Sequence, residues 1–155
     1  MSASALRYLI QPWENLGRDE VAAIFRLRIE VFVIEQDCPY QDIDGLDSLA
    51  HHLMVLDGDQ LVAYSRILPP GTSYRDAASI GRILTAKSHR GRGIGAEMIR
   101  LSIDHIREFL PGDLIRISAQ AHLQEYYSRF GFGTFGEEYL EDGIPHIGML
   151  RRVEQ

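Results

Sequence analysis

Apolar positions along the chain follow two spacings, and each switch between them marks an element. Tyr8-Leu9-Ile10 predicts a short opening strand. From about Glu20 to Phe32, the apolar residues Val21, Ile24, Phe25, Val31 and Phe32 recur near helical spacing, with Arg26, Arg28 and Glu30 left to face water. This predicts a first helix. The stretch Asp37 to Gly45 holds a proline and a cluster of turn residues, so it is expected to be an irregular loop of the kind that borders sites. Leu53-Met54-Val55-Leu56 and Leu61-Val62-Ala63-Tyr64 flank Asp57-Gly58-Asp59-Gln60, whose Asp-Gly pair predicts a hairpin that Pro69-Pro70-Gly71 ends.

Ile80 to Thr85 reads as a strand that leads into a glycine-rich turn, followed by a helix with Met98, Ile99, Ile103, Ile106 and Phe109 inward and Glu97, Arg100, Asp104 and Arg107 outward. Pro111-Gly112 stops that helix, Leu114 to Ile117 makes a short strand, and Leu123, Tyr126, Tyr127 and Phe130 mark a shorter helix that Gly131 caps. Asp142-Gly143 separates two last strands, near Phe135 to Leu140 and Ile144 to Leu150. The order predicts an α/β (α+β) fold in a single domain over 1–155, with a mixed central β-sheet flanked by about four helices.

Composition narrows the classes. With 155 residues, 45% of them hydrophobic and 25% charged, the chain suits one globular domain and not a disordered segment. Apolar runs are too short for a membrane span, and Met1 to Leu6 carries neither a basic region nor a signal-like apolar core, so a cytoplasmic protein is expected. A net charge of -6 argues against nucleic-acid binding and mildly favours cationic substrates. The single cysteine, Cys38, cannot form an internal disulfide and is expected to act as a small buried hydrophobe.

The chemistry is concentrated in Arg90-Gly91-Arg92-Gly93-Ile94-Gly95-Ala96, set between a strand and a helix. Glycines let main-chain N–H groups approach an anion, the helix N-terminus adds unpaired donors and positive dipole, and two arginines supply charge. A diphosphate is the expected ligand. A Walker A loop would need Gly-Lys-Ser/Thr, which does not occur here. Gly91, Gly93 and Ala96 satisfy the dinucleotide pattern G-x-G-x-x-A, but Ser118-Ala119-Gln120 stands where that fold places its acidic ribose ligand, and Asp113 lies at the wrong end of the strand.

Arg90 to Gly95 resembles the acyl-CoA signature R-x-x-G-x-G/A of the GNAT superfamily of N-acetyltransferases, and Tyr127-Ser128-Arg129-Phe130-Gly131-Phe132 resembles its Y-x-x-x-G-F segment. Val31 to Asp44, Gln120 to Gln124 and Tyr139 to Met149 resemble the ElaA branch, so that the likeness spans roughly residues 18 to 150. One departure is Lys87, which stands where many relatives have proline.

The resemblance implies an acetyl-CoA-dependent N-acetyltransferase that moves an acetyl group directly from the thioester to a primary amine. It implies that the backbone of Ile83, Leu84 and Thr85 pairs with the pantetheine arm, that Arg90, Gly91, Arg92, Gly93, Ile94 and Gly95 hold the diphosphate, and that Tyr127 is the general acid. Spacing alone places Tyr126 and Tyr127 together in an ordinary buried stripe, and only the motif match separates Tyr127. Glu35, Asp42, His122 and His146 are candidates for taking the amine's proton, with a water relay as an equal option.

No catalytic metal is expected. Asp42-Ile43-Asp44-Gly45-Leu46-Asp47 has calcium-loop spacing without the closing glutamate and reads as a solvated turn, and the adjacent His51 and His52 point to opposite faces of a strand. No G-x-S-x-G elbow is present. The alternative from another class is a non-catalytic acyl-CoA-binding sensor or partner-binding module. Exposed sheet edges in so small a unit are compatible with a homodimer.

Overall fold

A computed structural model of the chain describes residues 5–154; Met1 to Ser4, part of the segment read above as having neither a basic region nor a signal-like apolar core, and Gln155 lie outside them. In chain order the elements are β1 (Leu6–Pro12), α1 (Arg18–Arg28), β2 (His51–Asp57), β3 (Gln60–Leu68), β4 (Ala78–Thr85), α2 (Ile94–Phe109), β5 (Leu114–Gln120), α3 (Gln124–Ser128), β6 (Gly133–Glu141) and β7 (Ile144–Arg152). The strands run in the order β1-β2-β3-β4-β5-β7-β6. The pairing of β4 with β5 is parallel, whereas the β1·β2, β2·β3, β5·β7 and β6·β7 pairings are antiparallel. This is the expected mixed sheet of an α/β fold, with three α-helices among the described residues.

The chain divides into two compact units, one comprising the described residues up to Ile67 with Arg82–Met98, the other Leu68–Gly81 with Ile99 onward. In the first unit Ile24, Leu27 and Val31 pack with Met54, Tyr64 and Leu84, bordered by Leu9, Phe25 and Phe32. Helix α1 starts where the Gly17 N–H donates to Glu20 Oε1 at 2.8 Å. It does not run regularly to Phe32. From Ile29 to Glu35 the winding loosens into a π-helix, in a stretch rich in the β-branched residues Ile29, Val31, Val33 and Ile34 that crowd a tight α-turn. Asp37 then takes the left-handed conformation at φ 49°, and the Cys38 N–H reaches back to the Val33 carbonyl at 3.1 Å, which closes the helix end. Cys38 itself is half-buried.

In the second unit β5 alternates cleanly, with Ile115, Ile117 and Ala119 buried and the intervening residues partly exposed. Ile99, Ile103, Ile106, Phe132, Ile147 and Met149 are buried in the same unit. Phe109 departs from the inward face expected of it: its ring is 63% exposed and lies 4.9 Å from that of His105, one turn back. As the last residue of α2 before the Pro111-Gly112 stop, it has no further turn of helix to carry it against the sheet. Asp142 (φ 50°) and Gly143 (φ 78°) are both left-handed, as a two-residue type I′ hairpin requires.

Candidate functional site

The glycine loop is built on the end of β4. Beyond Thr85, the Ala86 N–H bonds to the Val62 carbonyl of β3 at 2.8 Å, and Lys87 to His89 form one 3₁₀ turn. The buried His89 ring anchors that turn between Asp57 Oδ2 (2.8 Å) and Ser88 Oγ (2.7 Å). Gly91 and Gly93 follow at φ +79° and +76°, with no atom within 4 Å of where a Cβ would stand. Backbone conformation and not crowding therefore demands glycine at both positions, and the space above them is open. Ile94 is buried and sets the first turn of α2, while Arg90, Gly91, Arg92 and Gly93 are exposed. An exposed helix start with uncovered N–H groups and flanking arginines suits an anion.

The two arginines of this loop differ. Arg90 is tied down within its own unit: Nε donates to the Thr85 carbonyl at 3.0 Å, and Nη2 lies 2.5 Å from Glu35 Oε2 at the end of the π-helix. Arg92 is exposed. Glu35, one of the four base candidates, is thus an ion-pair partner of the loop.

Strand β4 carries an interruption that the pattern of apolar residues does not announce. Arg82 has φ +49°, a left-handed conformation rare for a side-chain-bearing residue inside a strand. Its side chain reaches the loop between the π-helix and β2, with Nε 2.8 Å from Asp42 Oδ1 and Nη2 donating to Asp44 Oδ2 at 3.3 Å. Arg28 donates from Nε to Asp42 Oδ2 (2.9 Å) and from Nη1 to Asp47 Oδ1 (2.5 Å), and Arg66 grips Asp44 with both Nη1 and Nη2 at 2.8 Å. Two expectations are corrected here. Arg28, assigned to the wet face of α1, has 0% exposure, and Asp42-Ile43-Asp44-Gly45-Leu46-Asp47, assigned to a solvated turn, has Asp42 at 1% and Asp47 at 4%. Three arginines and three aspartates neutralise one another, which is what permits the burial of Arg28, Arg66, Asp42 and Asp47.

Within this network burial pushes Asp44 up, but its hydrogen bonds from Arg66 and the Leu46 N–H, with the charges of Arg66 and Arg82, outweigh that and hold it at about 2. Beside it, the buried His52 gives Nε2–H to the Asp47 carbonyl (2.9 Å) and accepts the Tyr64 hydroxyl at Nδ1 (2.6 Å). Burial drives His52 below its ordinary value and Tyr64 above its own. Asp42 also accepts the Tyr40 hydroxyl at 2.8 Å and is enclosed, so this base candidate has no face toward a substrate. Among the described residues no group of three or more His, Cys, Asp or Glu is placed to hold a metal ion, and no helix is long and apolar enough to cross a membrane.

Tyr127 belongs to the second unit. Helix α3 is short, and the chain leaves it through Gly131 at φ +89°, as expected for a cap. Tyr127 is half-buried, 5.3 Å from the ring of Tyr126 and 6.3 Å from that of Phe132 in edge-on geometry. Burial, with the neighbouring Tyr126, pushes its phenol up to about 12, so the proton stays on oxygen at neutral pH. His122 lies exposed on the 3₁₀ turn before α3, and His146 is buried on β7.

A family model described as an acetyltransferase (GNAT) domain matches residues 17–153. The chain belongs to the GNAT acetyltransferase family. Within it the chain is ElaA-like: it is 40% identical over 150 residues to protein ElaA of Escherichia coli K12, covering 92% of this chain and 97% of that one. A UPF0039 protein of Synechocystis is 42% identical over 144 residues, with 92% and 93% covered. Among solved structures, an acyl-CoA N-acyltransferase from Pseudomonas aeruginosa superposes with a TM-score of 0.88 at 44% identity, over 95% of this chain and 99% of that one. The crystal structure of E. coli ElaA gives a TM-score of 0.88 at 37% identity over the same shares. Members of the family use an acyl-CoA as co-substrate, so an acyl-CoA and an acceptor are the two ligands the fold implies.

Proposed function

We propose that the chain is an acetyl-CoA-dependent N-acetyltransferase, a single cytoplasmic domain over 1–155 that passes an acetyl group directly to a primary amine without a metal. The observation that carries this reading is the pair of left-handed glycines in open space at the start of α2, flanked by arginines, in a chain of GNAT ancestry. Arg90, Gly91, Arg92, Gly93, Ile94 and Gly95 hold the diphosphate, with Arg92 the exposed charge and Arg90 the residue that shapes the loop. The backbone of Ile83, Leu84 and Thr85 takes the pantetheine arm. A main-chain N–H at that strand end polarises the thioester carbonyl as an oxyanion donor does. Tyr127, kept protonated by burial, gives its proton to the departing thiolate.

The test has two variants and two readouts. Gly93→Val, which places a branched side chain at φ +76°, should abolish heat on titrating CoA by calorimetry, and undiminished affinity would remove the loop from the role. Tyr127→Phe should retain CoA affinity and lower turnover by roughly 100-fold or more in thiol release from acetyl-CoA with tyramine, spermidine, lysine and an alanyl peptide as acceptors. Wild-type turnover in that variant would strip Tyr127 of the assignment. CoA binding with no amine-dependent thiol release identifies the protein as an acyl-CoA sensor instead.

A further inference from the structure

A strand repeats one extended conformation, so a left-handed residue inside it has to be held there by something outside the strand. Arg82 is such a residue, at φ 49° within β4. The other non-glycine residues of this kind among the described ones are Asp37, at the end of a helix, and Asp142, in a hairpin turn. There the conformation serves a reversal of the chain, and a short polar side chain eases it by bonding locally. Neither reason applies to an arginine in mid-strand.

The side chain of Arg82 supplies the restraint. Nη2 donates to the Asp42 carbonyl at 3.1 Å and to Asp44 Oδ2 at 3.3 Å, Nε lies 2.8 Å from Asp42 Oδ1, and the guanidinium stands 5.7 Å from the Tyr40 ring. These partners cannot follow Arg82 if it moves. Asp42 is fixed from another side by Arg28 at 2.9 Å and takes the Tyr40 hydroxyl at 2.8 Å, while Asp44 is gripped by both nitrogens of Arg66 and by the Leu46 N–H at 3.1 Å. A side chain tied to so rigid a loop limits the conformation of its own backbone.

The far end of the same segment is fixed as well. The Ala86 N–H bonds to the Val62 carbonyl at 2.8 Å, and Leu84 is buried in the cluster of Ile24, Met54 and Tyr64. Between the anchors at Arg82 and Ala86 stand Ile83, Leu84 and Thr85. Rotation of Arg82 from left-handed to extended backbone would re-aim the peptide groups that follow it, since each residue has only two soft dihedrals. The Thr85 carbonyl receives Arg90 Nε at 3.0 Å, so the glycine loop is tied to the same backbone. All of these groups belong to the first unit.

We propose that Arg82 is a positioning residue for the acyl-CoA: its ion pairs with Asp42 and Asp44 hold the left-handed break that aims the peptide groups of Ile83, Leu84 and Thr85 at the pantetheine arm. This role rests on the transferase reading above, which gives those peptide groups to the arm. The guanidinium itself touches no co-substrate, because its donors point into the loop. Removing it orphans neither carboxylate: Asp42 keeps Arg28 and Asp44 keeps Arg66.

The order of two variants tests the role. Glycine adopts positive φ freely, whereas alanine is disfavoured there. In calorimetric titrations with acetyl-CoA, Arg82→Ala should bind about 10-fold more weakly than the wild type, and Arg82→Gly within about threefold of it. An ordinary strand position gives the reverse order, with glycine the worse residue. Titrated with ADP, which carries a diphosphate and lacks the arm, both variants should match the wild type to within about twofold. Thermal melting is the control for folding, and Arg82→Gln takes the place of Arg82→Ala if the latter does not fold. Equal affinity for acetyl-CoA in all three proteins, or alanine binding better than glycine, overturns the role and leaves the transferase reading standing. An equal loss for ADP, a sign that the whole site is disturbed, overturns it too. So does Arg82→Lys binding like the wild type while alanine and glycine fall together, since charge and not backbone would then be what counts. A wild type that gives no heat with acetyl-CoA overturns both readings.

Discussion

Each unit of the molecule contains a polar cluster, and the two differ in almost every respect that matters. In the first unit Arg28, Arg66 and Arg82 interlock with Asp42, Asp44 and Asp47, most of them buried, with charges that balance and carboxylates met from several sides. In the second unit Ser118, Tyr139, Glu141 and His146 form a chain that includes a half-exposed carboxylate. The first arrangement is closed by its own ion pairs and loses buried partners if one member is removed. The second presents a half-exposed carboxylate beside a stacked aromatic ring. Burial, more than the presence of charged residues, separates the two clusters.

The comparison breaks most sharply at Arg28. Arg28→Met removes donors to both Asp42 and Asp47 at a fully buried site, and should lower unfolding free energy by about 3 to 5 kcal/mol in urea titrations. Glu141→Gln, by contrast, should change it by no more than about 0.5 kcal/mol. Equal losses in the two variants would erase the distinction.

Gly148→Ala comes next. Its new methyl group would strike the Phe135 ring at 2.6 Å, and a loss of about 1 to 3 kcal/mol is expected, with Phe135 displaced from Arg116. An unchanged melt would mean that the bare Gly148 is not what lets side chains of β5 and β6 meet across β7.

Acid should act on the first cluster. The folded value of Asp44, about 2, lies below its ordinary 3.8, so its ion pairs contribute stability that is complete above about pH 4 and is lost as pH falls toward 2. Asp44→Asn should flatten the stability curve in that window, discounted by the partial solvent access of the group. The smallest effect is expected at Phe109, where replacement by serine removes an exposed ring and should shift stability by less than about 0.5 kcal/mol.

Period and punctuation carried a large part of the fold. Asp57-Gly58 and Asp142-Gly143 located both hairpins, Pro111-Gly112 the end of α2, and the alternation of Leu114 to Ile117 the strand between the later helices, because turn chemistry and side-chain period are local properties. The glycine loop was legible for the same reason: left-handed backbone at Gly91 and Gly93 is a demand that glycine meets and that a reader can see. Arg28 was misread because helical spacing records which residues share a face and says nothing about a charged partner arriving from Asp42 or Asp47, 14 and 19 residues away. Arg82 inside β4 and Ser118 opposite Gly148 were invisible for a related reason, since strand pairing across β7 and a left-handed turn within a strand depend on neighbours distant in sequence.

What this sequence determined by itself was most of the elements, the glycine-rich turn and the family to which its motifs belong, all of which show in short stretches of sequence. What only the tertiary structure decided was which charges are buried and which partners they meet. Desolvation and partner geometry set that difference, and both arise when segments far apart in the chain are brought within 3 Å of each other.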